Sequence, residues 1–331
     1  MKLIRSSARA SAPGKLVLFG EHFVVYDNPA ILAAINRRVN VNVRVNNTDN
    51  INITSDLGLG GSFKDSRFKL LSGPQETRTI LAPLCECARL VLSERGCNRG
   101  LDIDLISNLP ESVGLGSSAA CCVAITAGVD SLFHKPDRYW ISEKAAEAER
   151  LIHKNSSGAD CHISTFGGLM YFVKNGGFKK IYSKKQLSLG LINTGRKHST
   201  GNLVSSVKKF KETNVTSFKV LTLFSEIISQ KAFVAINEGD EKTLGSLMNQ
   251  NHVLLQEIGV SDKIIDELVN MCLTKGAWGA KLTGAGGGGS IIVSFPPNNY
   301  ELKVFIDSLD KSELGGQSIP VEVDFSGVLV T

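Results

Sequence analysis

The sequence is short of the features that mark membrane, nucleic-acid-binding and disulfide-rich proteins. Its apolar run AACCVAITAGV falls far below the ~18 residues that a bilayer-spanning helix needs, so we expect no membrane partner. Lys and Arg outnumber Asp and Glu by only 37 to 32 and are spread along the chain, which argues against a nucleic-acid partner. The seven cysteines form no even-numbered, regularly spaced framework, which favours buried thiols in a reducing compartment.

The chain is long enough for two domains with substantial cores. It has 331 residues, 42% hydrophobic and 21% charged, and a domain typically takes about 150 residues. The pattern changes near 180–187, so we predict domains over 1–183 and 184–331. Strand and helix patterns are intermixed in both halves. We predict strands over 39–47, 51–55, 101–106, 187–194, 279–282, 290–295 and 321–330, and helices over 77–95, 117–133, 142–155, from near 164, from 200, within 217–274 and near 301–311.

The first chemical signal is the glycine-rich loop LPESVGLGSSAA (109–120), between a predicted strand and the apolar helix. Free backbone N–H groups and the positive end of the helix dipole attract anions there, and glycine lets the backbone close on phosphate oxygens. Gly114 and Gly116 supply that freedom, and the hydroxyls of Ser117 and Ser118 can reach phosphate or Mg²⁺. The alternative is an ordinary tight turn with a serine cap.

Two other kinds of phosphate-binding loop do not fit. Residues 114–119 and 284–289 satisfy G-x-G-x-x-A and G-x-G-x-x-G, but a dinucleotide fold needs an acid that ends the next strand about 20 residues on. Asp130 lies inside the predicted helix instead. No glycine loop ends in Gly-Lys-Ser or Gly-Lys-Thr, which excludes a Walker A loop.

Two acids form the second signal. Glu149 shares a predicted helix face with two alanines and an isoleucine, so it points toward the packed side. A buried carboxylate is costly unless it meets a cation or a metal; the alternative is a structural salt bridge or a partly exposed edge position. Asp160 opens the segment after the helix-breaking Ser156-Ser157-Gly158, where it is equally a helix N-cap.

The third signal is a lysine that enters an apolar strand in SAPGKLVLFGEH (11–22). Lys15 follows Pro-Gly and precedes LVLF, so its cation is held on a stiff, buried element. Glu21 and His22 follow at the far end of this strand. Taken alone, Lys15 is equally a strand lysine whose ammonium group snorkels to solvent.

Three segments together resemble the ordered motifs of the GHMP kinases, the family of galactokinase, homoserine kinase, mevalonate kinase and phosphomevalonate kinase. They are APGKLVLFGEHFVVY (12–26), PESVGLGSSAA (110–120) and KLTGAGGGGS (281–290), and their order and spacing fit the family across nearly the whole chain. The resemblance implies an α+β fold of two domains with the active site in the cleft between them. The first domain is expected to be similar to the second domain of ribosomal protein S5, and the second to be ferredoxin-like.

The resemblance also implies roles in the transfer of a phosphoryl group from ATP to an alcohol. Asp160 is expected at the acceptor hydroxyl as general base or orienting group, with Lys15 close by to stabilise the transferring group. Ser118 and Glu149 are the expected Mg²⁺ ligands. The phosphates are expected on Pro110, Val113, Gly114, Leu115, Gly116, Ser117 and Ser118, and the acceptor on Lys15, Glu21, His22, Asp160, Thr200, Thr283, Gly284 and Ala285. Thr200 is equally a helix N-cap.

Within the family, GEH-x-VVY is similar to the mevalonate kinases. The run AERLIHKNSSGADCHISTFGG (148–168) also resembles their pattern E-R-x-x-H-G-x-P-S-G-x-D, although Lys154 and Ser156 replace its Gly and Pro. Asp27 also stands where many members have Gly. The implied function is ATP-dependent phosphorylation of the mevalonate 5-hydroxyl by a cytoplasmic enzyme, and family analogy allows a homodimer.

Two alternatives stay open at this point. The first is phosphomevalonate kinase or another GHMP kinase, since the cluster Arg196-Lys197-His198 offers cations for a second anionic group. The second is a non-catalytic ligand sensor on the same fold. Such sensors typically lose the catalytic acid, which this sequence retains as Asp160.

Overall fold

The computed structural model describes residues 3–110, 114–153, 156–196, 200–296, 304 and 317–331. Two sheets form the framework, and helices pack on both. The strands are β1 (Ser7–Phe19), β2 (Ala30–Val45), β3 (Ile51–Ser55), β4 (Gly60–Lys64), β5 (Arg67–Ser72), β6 (Leu101–Ser107), β7 (Leu169–Val173), β8 (Gly177–Ile181), β9 (Leu189–Asn193), β10 (Gly279–Thr283), β11 (Ser290–Ser294), β12 (Gln317–Val321) and β13 (Leu329–Val330). The helices are α1 (Arg78–Glu94), α2 (Ser117–Asp130), α3 (Arg138–Ile152), α4 (Ala159–Phe166), α5 (Thr200–Thr213), α6 (Val215–Glu238), α7 (Glu241–Glu257) and α8 (Lys263–Thr274), with 3-10 turns at Phe23–Tyr26 and Gln75–Thr77.

The larger sheet has nine strands in the part of the chain that the structure describes. Its order is β13-β1-β2-β6-β3-β4-β5, and β7 pairs with the first residues of β2 and carries β8. Strands β1 and β2 pair antiparallel along almost their whole length. Val39, Val41 and Val43 alternate with more exposed polar residues and are buried, which confirms the half-buried strand predicted there.

Helix α2 lies at the centre of the first half of the chain. Every residue from Ala119 to Asp130 is buried, as the apolar sequence predicts. The helix packs on α1, α3 and α4 on its helical side and on β1 and β2 on its sheet side. Its N-terminus, which carries the glycine-rich loop, is therefore held by the core of the protein.

The smaller sheet has the order β10-β11-β9-β12, with antiparallel pairs throughout. Helices α7 and α8 pack on β10 and β11, and α6 reaches back to β1 and β2 of the larger sheet. The chain passes from one sheet to the other between Ile181 and Leu189, and β13 returns to the larger sheet. The domain boundary predicted after residue 183 falls in this connection and stays a prediction.

Three predicted elements differ from the structure. Helix α3 begins at 138 rather than 142, because the side chain of Asp137 accepts a hydrogen bond from the backbone N–H of Tyr139 and caps it. Helix α4 begins at 159 rather than near 164, directly after Gly158. Of the closing strand predicted over 321–330, only Val321, at the end of β12, and β13 are strand, with irregular chain between them. The helix predicted near 301–311 lies outside the described residues, apart from position 304.

Candidate active site

The glycine-rich loop leads directly into α2. Gly114 and Gly116 have φ values of 73° and 70°, and a Cβ at Gly116 would lie 2.8 Å from Cγ of Lys15, so only glycine fits there. Gly116 is the N-cap residue of α2 and gives no side-chain hydrogen bond to the first turn. This arrangement favours an anion at the helix N-terminus over the serine-capped turn. Ser117 is exposed and Ser118 half-buried, whereas Val113 lies outside the described residues.

Lys15 connects this loop to the predicted catalytic acid. Its backbone N–H donates to the carbonyl oxygen of Leu115 at 2.8 Å, and its Nζ donates to the carbonyl oxygen of Gly114 at 3.1 Å. The same Nζ lies 3.3 Å from Oδ2 of Asp160. Lys15 is only 9% exposed, so its ammonium group faces the site and does not snorkel to solvent.

Asp160 lies in the first turn of α4, where the helix dipole favours an acidic side chain. Because Gly158 is the N-cap residue, the alternative reading of Asp160 as the cap is wrong. The Asp160 side chain is 35% exposed and lines a cavity. A carboxylate with one lysine contact and open space beside it can receive the proton of a bound alcohol.

Glu149 is buried on the inner side of α3, at 3% exposure, as its helical position predicts. Its Oε2 accepts hydrogen bonds from the Ser156 hydroxyl at 2.5 Å and from the Cys161 thiol at 3.5 Å. Burial, and after it the negative charge of Asp160, raises the pKa of Glu149. No cation forms an ion pair with Glu149 within the described ranges, so a structural salt bridge does not explain its burial there.

Glu21 is also buried, but its charge is compensated. Its Oε1 forms an ion pair with Nζ of Lys281, which is 0% exposed, and its Oε2 accepts from the amide of Asn251 at 3.2 Å. Burial lowers the pKa of Lys281, and the charge of Glu21 opposes that effect. The pair joins the first motif to the third, because Lys281 lies on β10 at the start of KLTGAGGGGS.

His22 faces the same region in an unusual backbone conformation, with φ of 60°. Its Nε2 lies 2.8 Å from the carbonyl oxygen of Ala285. A carbonyl oxygen only accepts, so Nε2 must carry the proton. Burial lowers the pKa of His22, which keeps the ring neutral at pH 7 and leaves Nδ1 as an acceptor.

The third glycine-rich segment closes this end of the site. Thr283 donates its hydroxyl to the carbonyl oxygen of Val17 at 2.7 Å, which ties β10 to β1 and occupies the hydroxyl proton. Gly284 and Ala285 follow and line the cavity. Thr200 begins α5, but its side chain is outside the described part of the structure.

A cavity of about 690 Å³ lies beside part of this site, but Glu149, Ser118 and Thr283 are not among its lining residues. Of the predicted residues, Lys15, Asp160, Glu21, His22, Gly284 and Ala285 line it. Its other lining residues are apolar side chains from β1, β2, β7, α4, α5 and the turn after β1, together with Lys174, Ser156 and Ser157. The cavity is large enough for a small acid or sugar and has the Lys15–Asp160 pair on its wall.

Comparisons with known proteins identify the family. The family model described as GHMP kinases N terminal domain matches residues 82–168, and GHMP kinases C terminal matches residues 232–305. The mevalonate kinase of Thermococcus sibiricus is 34% identical over 97% of both chains. That of Pyrococcus abyssi is 36% identical over 90% of this chain and 91% of its own. The chain belongs to the GHMP kinase family.

Solved structures agree with the fold of this GHMP kinase. The L. major mevalonate kinase in complex with R-mevalonate is 27% identical, with a TM-score of 0.82 and 98% of both chains covered. The Methanococcus jannaschii mevalonate kinase, at 23% identity, has the same fold with a TM-score of 0.80. The predicted two-domain α+β GHMP kinase fold is therefore confirmed.

Magnesium is implied by this kinase family, and the described residues fit one mode of holding it. The described residues contain no group of three or more His, Cys, Asp or Glu side chains that could bind a metal without additional ligands. Mg²⁺ is usually held by one or two protein ligands together with substrate phosphates and water. Glu149, a buried carboxylate without a cation on a helix that packs against α2, suits this shared mode.

Sequence reasoning missed three polar groups of this kinase site. Lys281 lies within a recognisable motif, but its contact with Glu21 joins residues 260 positions apart and has no local signal. Lys174 follows β7 in a turn, and no local pattern marks it. Ser156 has a signal in the sequence, because it departs from the family pattern at that position.

Proposed function

We propose that this GHMP kinase is a mevalonate kinase, which transfers the γ-phosphoryl group of ATP to the 5-hydroxyl of mevalonate. The observation that carries the proposal is the Lys15–Asp160 pair, 3.3 Å apart on the wall of an anion-compatible cavity beside the phosphate loop. The choice of acceptor is supported by curated relatives named mevalonate kinase at 34–36% identity over most of the chain.

The reaction needs a base, a cation and an in-line approach. In our proposal the carboxylate of Asp160 accepts the proton of the 5-hydroxyl while the hydroxyl oxygen bonds to the γ-phosphorus. The bond between the γ-phosphorus and the β,γ-bridging oxygen breaks, which releases ADP. The ammonium group of Lys15 forms an ion pair with Asp160 and stabilises charge on the transferring group. Backbone N–H groups at the start of α2 hold the other phosphates.

Mg²⁺ would be held by the Ser118 hydroxyl, the Glu149 carboxylate and the nucleotide phosphates. When bound, it neutralises charge on the β- and γ-phosphate oxygens. Glu149 and Asp160 therefore have separate roles, although they are close enough for the charge of one to raise the pKa of the other.

The acceptor would lie along the cavity with its hydroxyl at Asp160 and its carboxylate at Lys174. Lys174 is exposed and lines the cavity, and no described residue forms an ion pair with it. Lys15 is already engaged by Asp160, and His22 is neutral. Nδ1 of His22, an acceptor, suits a hydroxyl of mevalonate and not its carboxylate.

A phosphorylated acceptor would require further cations. Arg196, the described member of the Arg196-Lys197-His198 cluster, is paired with Asp262 at 2.7 Å. Lys197 and His198 lie outside the described residues. The arrangement that can be described therefore favours the unphosphorylated acid.

An acceptor panel tests the proposal. The purified protein with ATP and Mg²⁺ is offered mevalonate, phosphomevalonate, galactose and homoserine, and ADP release is measured with the product identified by mass spectrometry. We expect turnover of mevalonate alone. Turnover of phosphomevalonate alone would reject the proposed acceptor, and turnover of none would favour a ligand sensor. Asp160→Asn is the control for contaminating kinases.

We also propose a cytoplasmic location and a homodimer. All seven cysteines are free thiols and six are buried, which suits a reducing compartment. By length and composition alone, helix α6 could cross a membrane, although the core helices of other proteins pass the same test. The absence of a membrane partner therefore stays a prediction. Fractionation of cells and light scattering of the purified protein test the two proposals.

A further inference from the structure

Ser156 contacts Glu149 and lies four residues before Asp160 in the chain. It stands where the mevalonate kinase pattern has proline, so its hydroxyl is a departure from that pattern. Its Oγ is 2.5 Å from Oε2 of Glu149 and 3.2 Å from the backbone nitrogen of Gly158. One hydroxyl thus contacts the proposed metal ligand and the residue that precedes α4.

The direction of both hydrogen bonds follows from chemistry. A backbone N–H only donates, so Ser156 accepts from Gly158. The single hydroxyl proton of Ser156 is then donated to Glu149, which as a carboxylate accepts it in a charge-assisted bond. The Cys161 thiol is a second, longer contact to the same oxygen, at 3.5 Å.

This leaves the two oxygens of Glu149 in different situations. Oε2 accepts both hydrogen bonds. Oε1 has no hydrogen-bond partner within the described ranges, and it is not fully buried. Oε1 is therefore the oxygen that is free to bind a cation. A carboxylate that is held by one oxygen cannot rotate freely about its terminal bond, so the direction of Oε1 is fixed.

The second bond extends the effect to α4. Gly158, with φ of 79°, is the N-cap residue of that helix, and Asp160 lies in its first turn. We propose that Ser156 is a positioning residue that fixes Glu149 for the metal–nucleotide complex and aligns the start of α4 with it. This proposal rests on the proposed function, because it takes Glu149 as the magnesium ligand. Proline at this position offers no hydroxyl and could make neither contact.

Metal binding tests the proposal without relying on turnover. Mn²⁺ serves as the probe in place of Mg²⁺, and its binding to the full-length protein with saturating ADP is measured by electron paramagnetic resonance. We expect Ser156→Ala and Ser156→Pro to weaken Mn²⁺ binding about tenfold, since loss of a hydrogen bond to a metal ligand typically costs 10–100-fold in affinity. Ser156→Thr keeps the hydroxyl and should restore most of the affinity. ADP binding without metal should be unchanged in all three variants.

The matched control is Ser62→Ala, which removes a similar hydroxyl contact, to Asn52 at 2.8 Å, on β4 of the larger sheet. It should leave Mn²⁺ affinity unchanged. Wild-type Mn²⁺ affinity in Ser156→Ala, with reduced affinity in Glu149→Gln, would overturn the role of Ser156 and leave that of Glu149 intact. Unchanged affinity in Glu149→Gln would overturn both assignments.

Discussion

The two buried glutamates of the site, one at each end, are treated differently by the protein. Glu21, at the acceptor end, has a buried lysine and an amide as partners. Glu149, at the phosphate end, has a hydroxyl and a thiol, and no cation among the described residues. A buried carboxylate is stabilised only where its charge is compensated. The charge of Glu21 is therefore compensated in the free protein, whereas under the proposed function that of Glu149 is compensated by the cation that accompanies the nucleotide.

The largest expected effect comes from Asp160→Asn, which removes the base and keeps the shape of the side chain. We expect kcat to fall by about 10²–10⁴-fold, the usual contribution of general base catalysis. ADP affinity should stay near the wild-type value, because the phosphate loop is unchanged. Steady-state kinetics and calorimetric titration with ADP measure the two quantities. An equal loss of nucleotide affinity in Asp160→Asn and Glu149→Gln would show that the two acids do not have separate roles.

Replacing Lys281 by Met would make Glu21 resemble Glu149, a buried acid without a cation. Removing one partner of a buried ion pair typically costs about 3–5 kcal/mol because the remaining charge is uncompensated. We expect a decrease of that size in the free energy of unfolding, measured by urea denaturation.

The double variant Glu21→Gln, Lys281→Met separates charge from packing. It removes both charges and should recover much of the lost stability. If Glu21 also contacts the substrate, the KM of the double variant for the acceptor should be higher than that of the wild type. A double variant as unstable as Lys281→Met alone would mean that lost packing, and not the unpaired charge, explains the effect.

A smaller effect is expected at the acceptor end from Lys174→Met. Loss of one charge-assisted contact to the carboxylate should raise the KM for mevalonate roughly tenfold and leave the KM for ATP unchanged. Lys174→Arg should keep most of the affinity. The matched control is Lys179→Met on β8, a lysine that lies over the ring of Phe233 and does not line the cavity. A raised KM for ATP would contradict the assignment of Lys174 to the acceptor.

What the sequence could predict follows the same division between the two ends. The phosphate end is built from local motifs: the glycine loop and the buried face of Glu149 were recognisable from spacing, whereas the role of Asp160 came from the family resemblance. The acceptor end depends on contacts between distant segments. The buried state of Glu21, for example, depends on Lys281 and Asn251, which lie in the other half of the chain. Local patterns carry no information about such pairs, which is why these partners were missed.

Residues that depart from the family pattern form hydrogen bonds near the site. Asp27, where many members have Gly, adopts φ of 63°, a left-handed conformation that glycine takes easily and aspartate tolerates. Its carboxylate accepts a hydrogen bond from Asn175 at 2.7 Å, next to Lys174. The two described departures, Ser156 and Asp27, thus each place a polar side chain in hydrogen-bond contact with a second segment of the chain.

The smallest expected effect concerns two histidines, the buried His22 at the acceptor end and the half-buried His162 on α4. Burial lowers the pKa of both, and that of His162 falls from 6.5 to about 4. As the pH falls below 6.5, the unfolded chain binds these protons and the folded protein does not. The stability that the neutral rings contribute is therefore fully present above 6.5 and is lost as the pH falls toward 4.

His162→Phe separates the two contributions, because phenylalanine can keep the stack on Phe178, whose ring centroid lies 3.8 Å away, but cannot bind a proton. We expect the urea midpoint of this variant to fall less than that of the wild type between pH 6.5 and about 4, the two pKa values that bound the window. An equal fall in both proteins would mean that His22 and the other buried groups carry the pH dependence.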